Sequence, residues 1–427
     1  MKKIYANGTD EVAFLAELSR RAGETNKEVT ETVSAIIDDV KNNGDTAVKN
    51  YTLKFDGNLP QYYEVPREVI NDAMTDADPE FVNALLDAQE NIADFHNRQV
   101  EQGFINPKAN GVILGQRIRG LERVGLYVPG GTAAYPSSVL MNAVPAKIAG
   151  VKELIMVTPP LKDGTPNKDI LVAAAICGVD RIFLAGGSQA ISALAYGTET
   201  IPKCDKIVGP GNIFVATAKK LLYGVVDIDM IAGPSEILVL ADETANPKFA
   251  AADLMSQAEH DKLASAIMVT TSEKLADETI VEINRQKEYL SRKEIIEKSL
   301  DDYGAIIITD SREKAVELAN AIAPEHLEVL MDNPMELLGS LDNAGSVFLG
   351  HYASEPLGDY FAGPNHVLPT SGTARFFSPL GVASFTKRSS YIYYTREALE
   401  EAKDDIVLIA EKEGLTAHAN AIKVRFE

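Results

Sequence analysis

The chain has little cysteine, no tryptophan and a shortage of positive charge. Its two cysteines, Cys177 and Cys204, stand apart without CxxC spacing, which argues against a disulfide framework and an all-cysteine zinc site. Lys and Arg number 41 against 62 Asp and Glu, so the formal net charge is −21. This excess disfavours nucleic acid as a partner, and an anionic cofactor must therefore be held by local donors.

Long apolar runs are missing as well. No stretch reaches the roughly 18 uninterrupted apolar residues that indicate a transmembrane helix. The first ten residues turn polar before the apolar core of a signal peptide can develop. We therefore expect no membrane partner and a cytoplasmic location.

Apolar spacing divides the chain into a helical first part and two α/β series. Residues 29–40 repeat apolar side chains at helical spacing, with Gly44 placed as the stop, and residues 81–95 form a longer amphipathic run. From Arg123 to about Ala232, short apolar runs end in glycine or proline and lead into helical stretches. This alternation predicts an α/β fold with a parallel sheet.

A second α/β series follows, and a short helical tail closes the chain. Its predicted strands cover residues 236–240, 265–270, 305–309, 326–331 and 346–349. The predicted helices between them include residues 246–257 and 312–321.

Two glycine-containing turns follow strands of the first predicted sheet, at residues 186–189 and 209–212. A helix that starts at such a turn offers free backbone N–H groups to a phosphate. Neither turn completes G-x-G-x-x-G or a P-loop, and tight turns that need glycine dihedrals also explain them. Their shared position at the carboxyl edge of one sheet favours nucleotide binding.

A metal site is one explanation for a polar cluster on the second series. Gln257 and His260 are three residues apart at the end of a predicted helix, so their side chains share a face. Asp359 follows a polar loop, and His418 lies near the C-terminus. Two imidazoles, a carboxylate and a neutral oxygen suit zinc, although glutamine is an unusual ligand and a helix-capping network is the alternative.

The remaining histidines divide between structural and chemical explanations. We expect His96 to be a partly exposed helical residue, whereas His366 lies in a turn and is either structural or functional. Glu325 and His326 join a helix to a strand, where a histidine can move protons near neutral pH and the carboxylate can activate water. A salt-bridged pair at a strand edge explains the same two residues.

Taken together, these segments resemble histidinol dehydrogenase. The matching motifs are long, chemically unusual and in order from Val124 to the C-terminus. They are VGLYVPGG (124–131), GPGN (209–212), AGPSE (232–236), SQAEHD (256–261), APEHLE (323–328), LGDYFAGPNHVLPT (357–370) and EGLTAHA (413–419).

The resemblance implies an NAD-dependent, four-electron oxidation of L-histidinol to L-histidine through L-histidinal, the last steps of histidine biosynthesis. Two NAD molecules are then used in each turnover, and one zinc ion per subunit holds the substrate without taking part in the redox step. Manganese or cobalt would also suit an N/O site.

The resemblance also gives roles to individual residues. His326 becomes the general base, and Glu325 activates the water that adds to the aldehyde. The implied zinc ligands are Gln257, His260, Asp359 and His418; the implied substrate contacts are these four with Ser235, His326 and Glu413; and the implied NAD contacts are Tyr127, Gln189 and Asn212.

The family's architecture implies two incomplete Rossmann-like domains with parallel sheets, plus helical N-terminal and C-terminal segments. We expect an N-terminal segment (1–25), a discontinuous first α/β domain with a helical part (26–122 and 237–375), an NAD-binding α/β domain (123–236) and a dimerisation tail (376–427). In the family this tail crosses to the other subunit of a homodimer, so each active site is shared.

Three other functions stay open beside this interpretation. A related zinc and NAD dehydrogenase would oxidise another amino alcohol or a diol, although Ser235, Glu413 and the intact SQAEHD and EGLTAHA segments argue against it. A zinc hydrolase would use His260 and Asp359 to hold a water-activating metal and would not need the glycine turns. A non-catalytic binding protein would use the same residues as polar structural networks.

Overall fold

A computed structural model describes residues 1–22, 27–130 and 135–427. The expected boundary between residues 25 and 26, and Gly131 of the VGLYVPGG motif, lie outside the described residues. In the described part of the chain, no helix combines the length and the apolar character that crossing a bilayer requires.

The strands and helices alternate through most of the chain. The strands are β1 (Lys2–Tyr5), β2 (Phe104–Pro107), β3 (Ile113–Gly120), β4 (Arg123–Tyr127), β5 (Glu153–Thr158), β6 (Arg181–Leu184), β7 (Lys206–Val208), β8 (Asp227–Ile228), β9 (Glu236–Ala241), β10 (Ser265–Thr270), β11 (Ala305–Ile308), β12 (His326–Leu330), β13 (Ser346–Leu349) and β14 (Thr386–Tyr393). The helices are α1 (Asp10–Ala22), α2 (Lys27–Asp56), α3 (Arg67–Asp76), α4 (Pro79–Asn97), α5 (Pro136–Ile148), α6 (Lys168–Ile176), α7 (Gly187–Tyr196), α8 (Ile213–Leu222), α9 (Pro247–Ala258), α10 (Glu273–Gln286), α11 (Lys293–Tyr303), α12 (Arg312–Ile322), α13 (Glu355–Tyr360), α14 (Arg396–Lys412) and α15 (Thr416–Lys423).

Two parallel sheets share one topology. The five-stranded sheet has the order β6-β5-β4-β7-β8, and the six-stranded sheet has the order β1-β11-β10-β9-β12-β13. In the five-stranded sheet the chain starts at β4, continues outward to β5 and β6, and then returns to β7 and β8 on the other side of β4. The six-stranded sheet repeats this Rossmann order from β9, with β1 added at its edge. The predicted α/β fold, with Rossmann-like parallel sheets and helical segments at its ends, is confirmed.

Each parallel sheet is covered on both faces. In the five-stranded sheet, Leu126 and Met156 belong to one apolar cluster, whereas Tyr127 and Val157 belong to the cluster on the opposite face. The six-stranded sheet is likewise packed between two clusters. Successive side chains of a strand point to opposite faces, so continuous apolar runs are what such buried strands require.

The first 120 residues contain more strand than the helical prediction allowed. β1 pairs in parallel with β11 at the edge of the six-stranded sheet, and β3 pairs with β2 and β14 in an antiparallel sheet. β1 and β2 have four residues each, which is too short for a clear period. One of the two partners of β3 is β14, which lies more than 250 residues later, and local spacing cannot reveal such a partner.

Gly44 ends the first of two helices, as predicted, and the second follows it directly, so that α2 is a pair of helices joined at a kink. Its backbone has φ 50° and ψ −131°, and the helix resumes and runs to Asp56. The carboxylate of Glu199 accepts a hydrogen bond from the N–H of Asp45 at 2.8 Å. This bond satisfies one of the N–H groups that the break leaves open, so the second half begins like a new helix.

His96 is buried, not partly exposed as predicted. Its Nδ1 lies 2.8 Å from the carbonyl oxygen of Ile92, and the amide nitrogen of Asn365 lies 3.4 Å from its Nε2. The segment around Asn365 comes from a distant part of the chain and covers this side of α4. Amphipathic spacing on α4 alone could not reveal that cover.

Candidate active site

A cleft of about 340 Å³ lies between the two parallel sheets. The five-stranded sheet presents the carboxyl ends of its strands, through the turn at 209–212 that follows β7. The six-stranded sheet presents the amino ends, since Ser235 precedes β9 and His326 begins β12. The predicted residues that line the cleft are Asn212, Ser235, Gln257, His260, Glu325, His326 and Asp359.

Glu325 and His326 enter the cleft from a sharply turned connection. Helix α12 ends at Ile322, and Ala323 adopts a left-handed conformation with φ 52° before Pro324. The residue before a proline is normally extended, so this connection is conformationally restricted. It delivers Glu325 and His326, which are 7% and 3% exposed, into the cleft at the start of β12.

One backbone residue, Glu236, orients both groups. Its N–H donates to Oε2 of Glu325 at 2.9 Å, and its carbonyl oxygen lies 3.0 Å from Nδ1 of His326. A ring nitrogen that faces a carbonyl oxygen must carry the proton, so Nε2 of His326 bears the lone pair. That Nε2 is buried and has no hydrogen-bond partner among the described residues.

Burial shifts the pKa values of the two groups in opposite directions. Desolvation lowers the pKa of His326, which keeps its imidazole neutral near pH 7. Desolvation also raises the pKa of Glu325 well above its ordinary value, and the nearby carboxylates of Asp359 and Glu355 reinforce this. A neutral imidazole and a carboxyl group whose protonated form is favoured therefore stand side by side, with Nδ1 and Oε2 3.7 Å apart.

Three of the predicted metal ligands meet in the cleft. His260, Asp359 and the unpredicted Glu355 each offer a donor atom within 4.8 Å of the others. Gln257 is 1% exposed, and its Oε1 has no hydrogen-bond partner in the described part of the chain. Because buried polar atoms are normally paired, an unpaired oxygen in the same cleft as His260 and Asp359 fits a cation.

Burial and the carboxylate of Glu355 raise the pKa of Asp359 to about 9. A cation in this position would stabilise the ionised form and reverse that shift. The donor set of one amide oxygen, one imidazole and two carboxylates therefore fits a divalent metal.

Glu355 is the residue of the site that the sequence analysis missed. Glu355 and Asp359 lie four residues apart on α13, so they share a helix face, and that spacing was the available signal. Oε2 of Glu355 accepts a hydrogen bond from Oγ of Ser256 at 3.1 Å. Its N–H donates to Oε1 of Glu328 at 2.6 Å.

His366 also lines the cleft, which the sequence had left between a structural and a functional explanation. Its Nδ1 lies 3.2 Å from the carbonyl oxygen of Asp359. Desolvation lowers the pKa of His366 to about 4, so the ring is neutral at physiological pH. It therefore helps to hold the end of α13, which carries Asp359, without adding a charge.

The predicted NAD contacts divide into two places. Asn212 lines the cleft and caps α8, since its Oδ1 accepts hydrogen bonds from the N–H groups of Phe214 and Val215. Tyr127 and Gln189 are buried beside the other glycine turn and do not line the described cleft. The hydroxyl of Tyr127 accepts a hydrogen bond from the N–H of Gly187 at 3.1 Å, and burial raises its pKa to about 12.

Glu413 and His418 are not brought to this cleft. Both are exposed, Glu413 at the end of α14 and His418 on α15. Neither belongs to the described lining of the cleft.

Comparison with known proteins places this cleft in a characterised family. The family model for histidinol dehydrogenase matches residues 19–426. Histidinol dehydrogenase of Clostridium acetobutylicum is 60% identical over 426 residues, covering 100% of this chain and 99% of the relative. That of Lactococcus lactis is 54% identical over 431 residues, covering 100% of this chain and 99% of the relative.

A solved structure agrees with these relatives. The crystal structure of histidinol dehydrogenase from Elizabethkingia anophelis superposes with a TM-score of 0.93 at 39% identity, covering 100% of this chain and 98% of that one. Since the family model and the relatives cover nearly the whole chain, the chain belongs to the histidinol dehydrogenase family.

Proposed function

We propose that this chain oxidises L-histidinol to L-histidine through L-histidinal, reducing two NAD molecules in each turnover. One observation carries the proposal: a glycine turn at a Rossmann switch point, a metal-type donor cluster and a glutamate–histidine pair line one cleft. Ligands of such sheets bind where the strand order reverses, which in the five-stranded sheet is between β4 and β7. Family membership supports this function over the hydrolase and the non-catalytic protein.

The proposed metal residues are Gln257, His260 and Asp359, with His418 supplied by a second copy of the chain. Zinc, one ion per subunit, would grip the imidazole and amine nitrogens of the substrate and hold the alcohol carbon in place. A weak amide ligand such as Gln257 is sufficient if the substrate completes the coordination. Ser235 lines the same cleft, and we assign it to substrate binding together with Glu413.

His326 is the proposed base in both oxidation steps. In the first step, its Nε2 takes the hydroxyl proton while the carbon-bound hydrogen leaves as hydride to NAD, giving the aldehyde and NADH. Its Nδ1–H faces the carbonyl oxygen of Glu236, which stabilises the imidazolium that forms.

Glu325 is the proposed base for the water step between the two oxidations. It takes a proton from water as the oxygen adds to the aldehyde carbon, which gives the anion of the hydrate. After releasing its first proton to solvent, His326 takes the remaining hydroxyl proton of that anion while a second hydride leaves to a second NAD, and the product is the carboxylate. Burial of both groups limits the loss of the reactive aldehyde to solvent.

Tyr127, Gln189 and Asn212 are the proposed contacts of NAD. Asn212 already lines the cleft, and the cap made by its Oδ1 does not use its side-chain amide N–H groups. Tyr127 acts through the N–H of Gly187, so it fixes the neighbouring turn. The dinucleotide would then run from the cleft towards that second turn along the carboxyl edge of the sheet.

We propose a cytoplasmic homodimer with shared active sites. Glu413 and His418 stand outside the cleft of their own chain, on helices that expose apolar side chains such as Leu408, Ile409 and Leu415. A second copy would cover these side chains and receive the two polar ones. The proposed division is an N-terminal segment (1–25), a first domain (26–122 with 237–375), an NAD-binding domain (123–236) and a dimerisation tail (376–427).

Substrate choice tests this function against the related dehydrogenase. NADH formation is measured with histidinol and with amino alcohols and diols of similar size that lack the imidazole. We expect histidinol to be oxidised at least about a hundredfold more efficiently, because the amino alcohols lose the imidazole contact to the metal, the diols lose the amine contact as well, and the alcohol is then poorly positioned in both. Equal or better oxidation of an alcohol without an imidazole would overturn the assignment.

A further inference from the structure

A buried ion pair holds the glycine turn that follows β7. Lys219 lies on α8 and Asp229 follows β8, and their side chains are 3% and 1% exposed. Both line the active-site cleft, and Lys219 is the one lysine or arginine in its described lining. Burying two charges is costly unless further hydrogen bonds satisfy them, so the contacts of this pair indicate what it is for.

Two of those further hydrogen bonds go to Gly209, and a third runs from the N–H of Met230 to Oδ1 of Asp229 at 2.6 Å. Nζ of Lys219 donates to the carbonyl oxygen of Gly209 at 3.0 Å. The N–H of Gly209 donates to Oδ2 of Asp229 at 2.8 Å. The two peptide groups on either side of the Gly209 Cα are therefore fixed by opposite charges.

The backbone conformation and the close packing of Gly209 also restrict its position. Its φ is 111°, which side chains rarely allow, and a Cβ there would overlap the carbonyl group of Tyr127 at the end of β4. Three residues later, Asn212 caps α8 and lines the cleft. The position of Gly209 therefore determines where Gly211 and Asn212 stand against a bound ligand.

We propose that Lys219 and Asp229 are positioning residues for the dinucleotide, because they hold the 209–212 turn in its binding geometry. The inference rests on the NAD-binding part of the proposed function. Since Asp229 neutralises Lys219, the contribution is geometric and is not an attraction of the lysine for phosphate. It acts on NAD affinity and leaves metal and histidinol binding on the opposite wall of the cleft unchanged.

The test replaces both charges together, with Lys219→Met and Asp229→Asn in one chain, so that no unpaired charge remains buried. NAD affinity is measured by calorimetry without histidinol, beside KM for NAD, KM for histidinol and zinc content. We expect the Kd and KM for NAD to rise about tenfold or more, because a turn displaced by about 1 Å loses well-oriented contacts. KM for histidinol and zinc content should stay within about twofold.

The same sheet offers a matched control. Lys206 on β7 pairs with Asp227 on β8 at 2.8 Å, in the same unit but outside the described lining of the cleft. The control chain carries Lys206→Met with Asp227→Asn and should bind NAD like the unmodified protein. An unchanged NAD affinity in the Lys219/Asp229 variant, or an equal loss in the control, would overturn the proposal.

Hydrogen exchange on the unmodified protein keeps the test independent of variant folding. NAD should slow exchange in the peptide that covers residues 209–215, and the absence of such protection would contradict the inference. If the unmodified protein reduces NAD with histidinol but the Lys219/Asp229 variant keeps its NAD affinity, this inference alone is refuted. An unmodified protein that fails to use NAD would refute the proposed function itself.

Discussion

At the scale of single residues, the backbone of Glu236 links the two proposed bases. Its N–H holds Glu325, and its carbonyl oxygen holds the protonated ring nitrogen of His326. One peptide segment thus sets the tautomer of the imidazole and the direction of the carboxylate. Adjacent positions in the sequence suggested a salt bridge as readily as catalysis. The buried Nε2 of His326, which has no hydrogen-bond partner among the described residues and lies 3.9 Å from Oδ1 of Asp359, favours the catalytic explanation.

His326→Ala and Glu325→Gln should separate the two oxidation steps. We expect His326→Ala to slow both steps, and Glu325→Gln to slow mainly aldehyde oxidation, each by about a hundred- to ten-thousand-fold. Rates are measured with histidinol and with histidinal as the starting substrate. His351→Ala is the control, since His351 pairs with Asp332 at 3.3 Å outside the cleft, and a comparable loss there would count against the assigned roles.

Glu355→Gln should weaken metal binding without removing a proposed ligand. Glu355 is 2% exposed and lies within reach of both His260 and Asp359, so its charge supports their donor atoms. Residues that support metal ligands typically contribute ten- to a hundredfold in affinity, and we expect about that loss in zinc affinity. It is measured by competition with a chelator, beside Glu336→Gln at the surface; equal affinities in the two variants would contradict the role.

At the scale of elements, the sequence predicted strands of the two α/β series well and the strands of the first 120 residues poorly. The predictions for residues 265–270 and 346–349 match β10 and β13, since both strands are short runs enclosed by turn and helix signals. β1 and β3 were not predicted, because the partner of β1 and the longer of the two partners of β3 lie far along the chain. The glycine turns were found, but their relation to the cleft depended on strand order, which local spacing does not contain.

Gly44→Ala should destabilise the protein through the break in α2. The Cβ of an alanine there would meet the carboxylate of Glu199, and the alanine would have to adopt a φ of 50°. We expect the free energy of unfolding in urea to fall by about 1–3 kcal/mol. Gly57→Ala is the matched control, because Gly57 also has positive φ but open space around it; if both variants lose the same amount, the contact with Glu199 contributes nothing.

At the scale of the whole molecule, function depends on two sheets that face each other with opposite edges. The five-stranded sheet offers its carboxyl edge, as expected for nucleotide binding. The six-stranded sheet offers its amino edge, where Ser235 and His326 lie. Sequence patterns could supply the residues and the resemblance their proposed roles, but the approach of the two edges is decided by tertiary packing.

Mixing two inactive variants should restore activity if the sites are shared. Chains with His326→Ala and chains with His418→Ala are each expected to be inactive, since the first loses the base and the second a ligand. In a mixed dimer, one site carries both defects and the other carries none, so refolding them together should recover about a quarter of the normal activity, as half the dimers are mixed. No recovery from a properly mixed population would place His418 in its own chain's site or outside any site.

The most direct test of the central claim is the stoichiometry of NADH formation. Limiting histidinol is converted completely with excess NAD, and NADH is followed by absorbance with and without a zinc chelator. We predict two NADH and one histidine for each histidinol, loss of the reaction on chelation and its return with zinc. One NADH per histidinol, or full activity in a protein shown to be free of metal, would contradict the account.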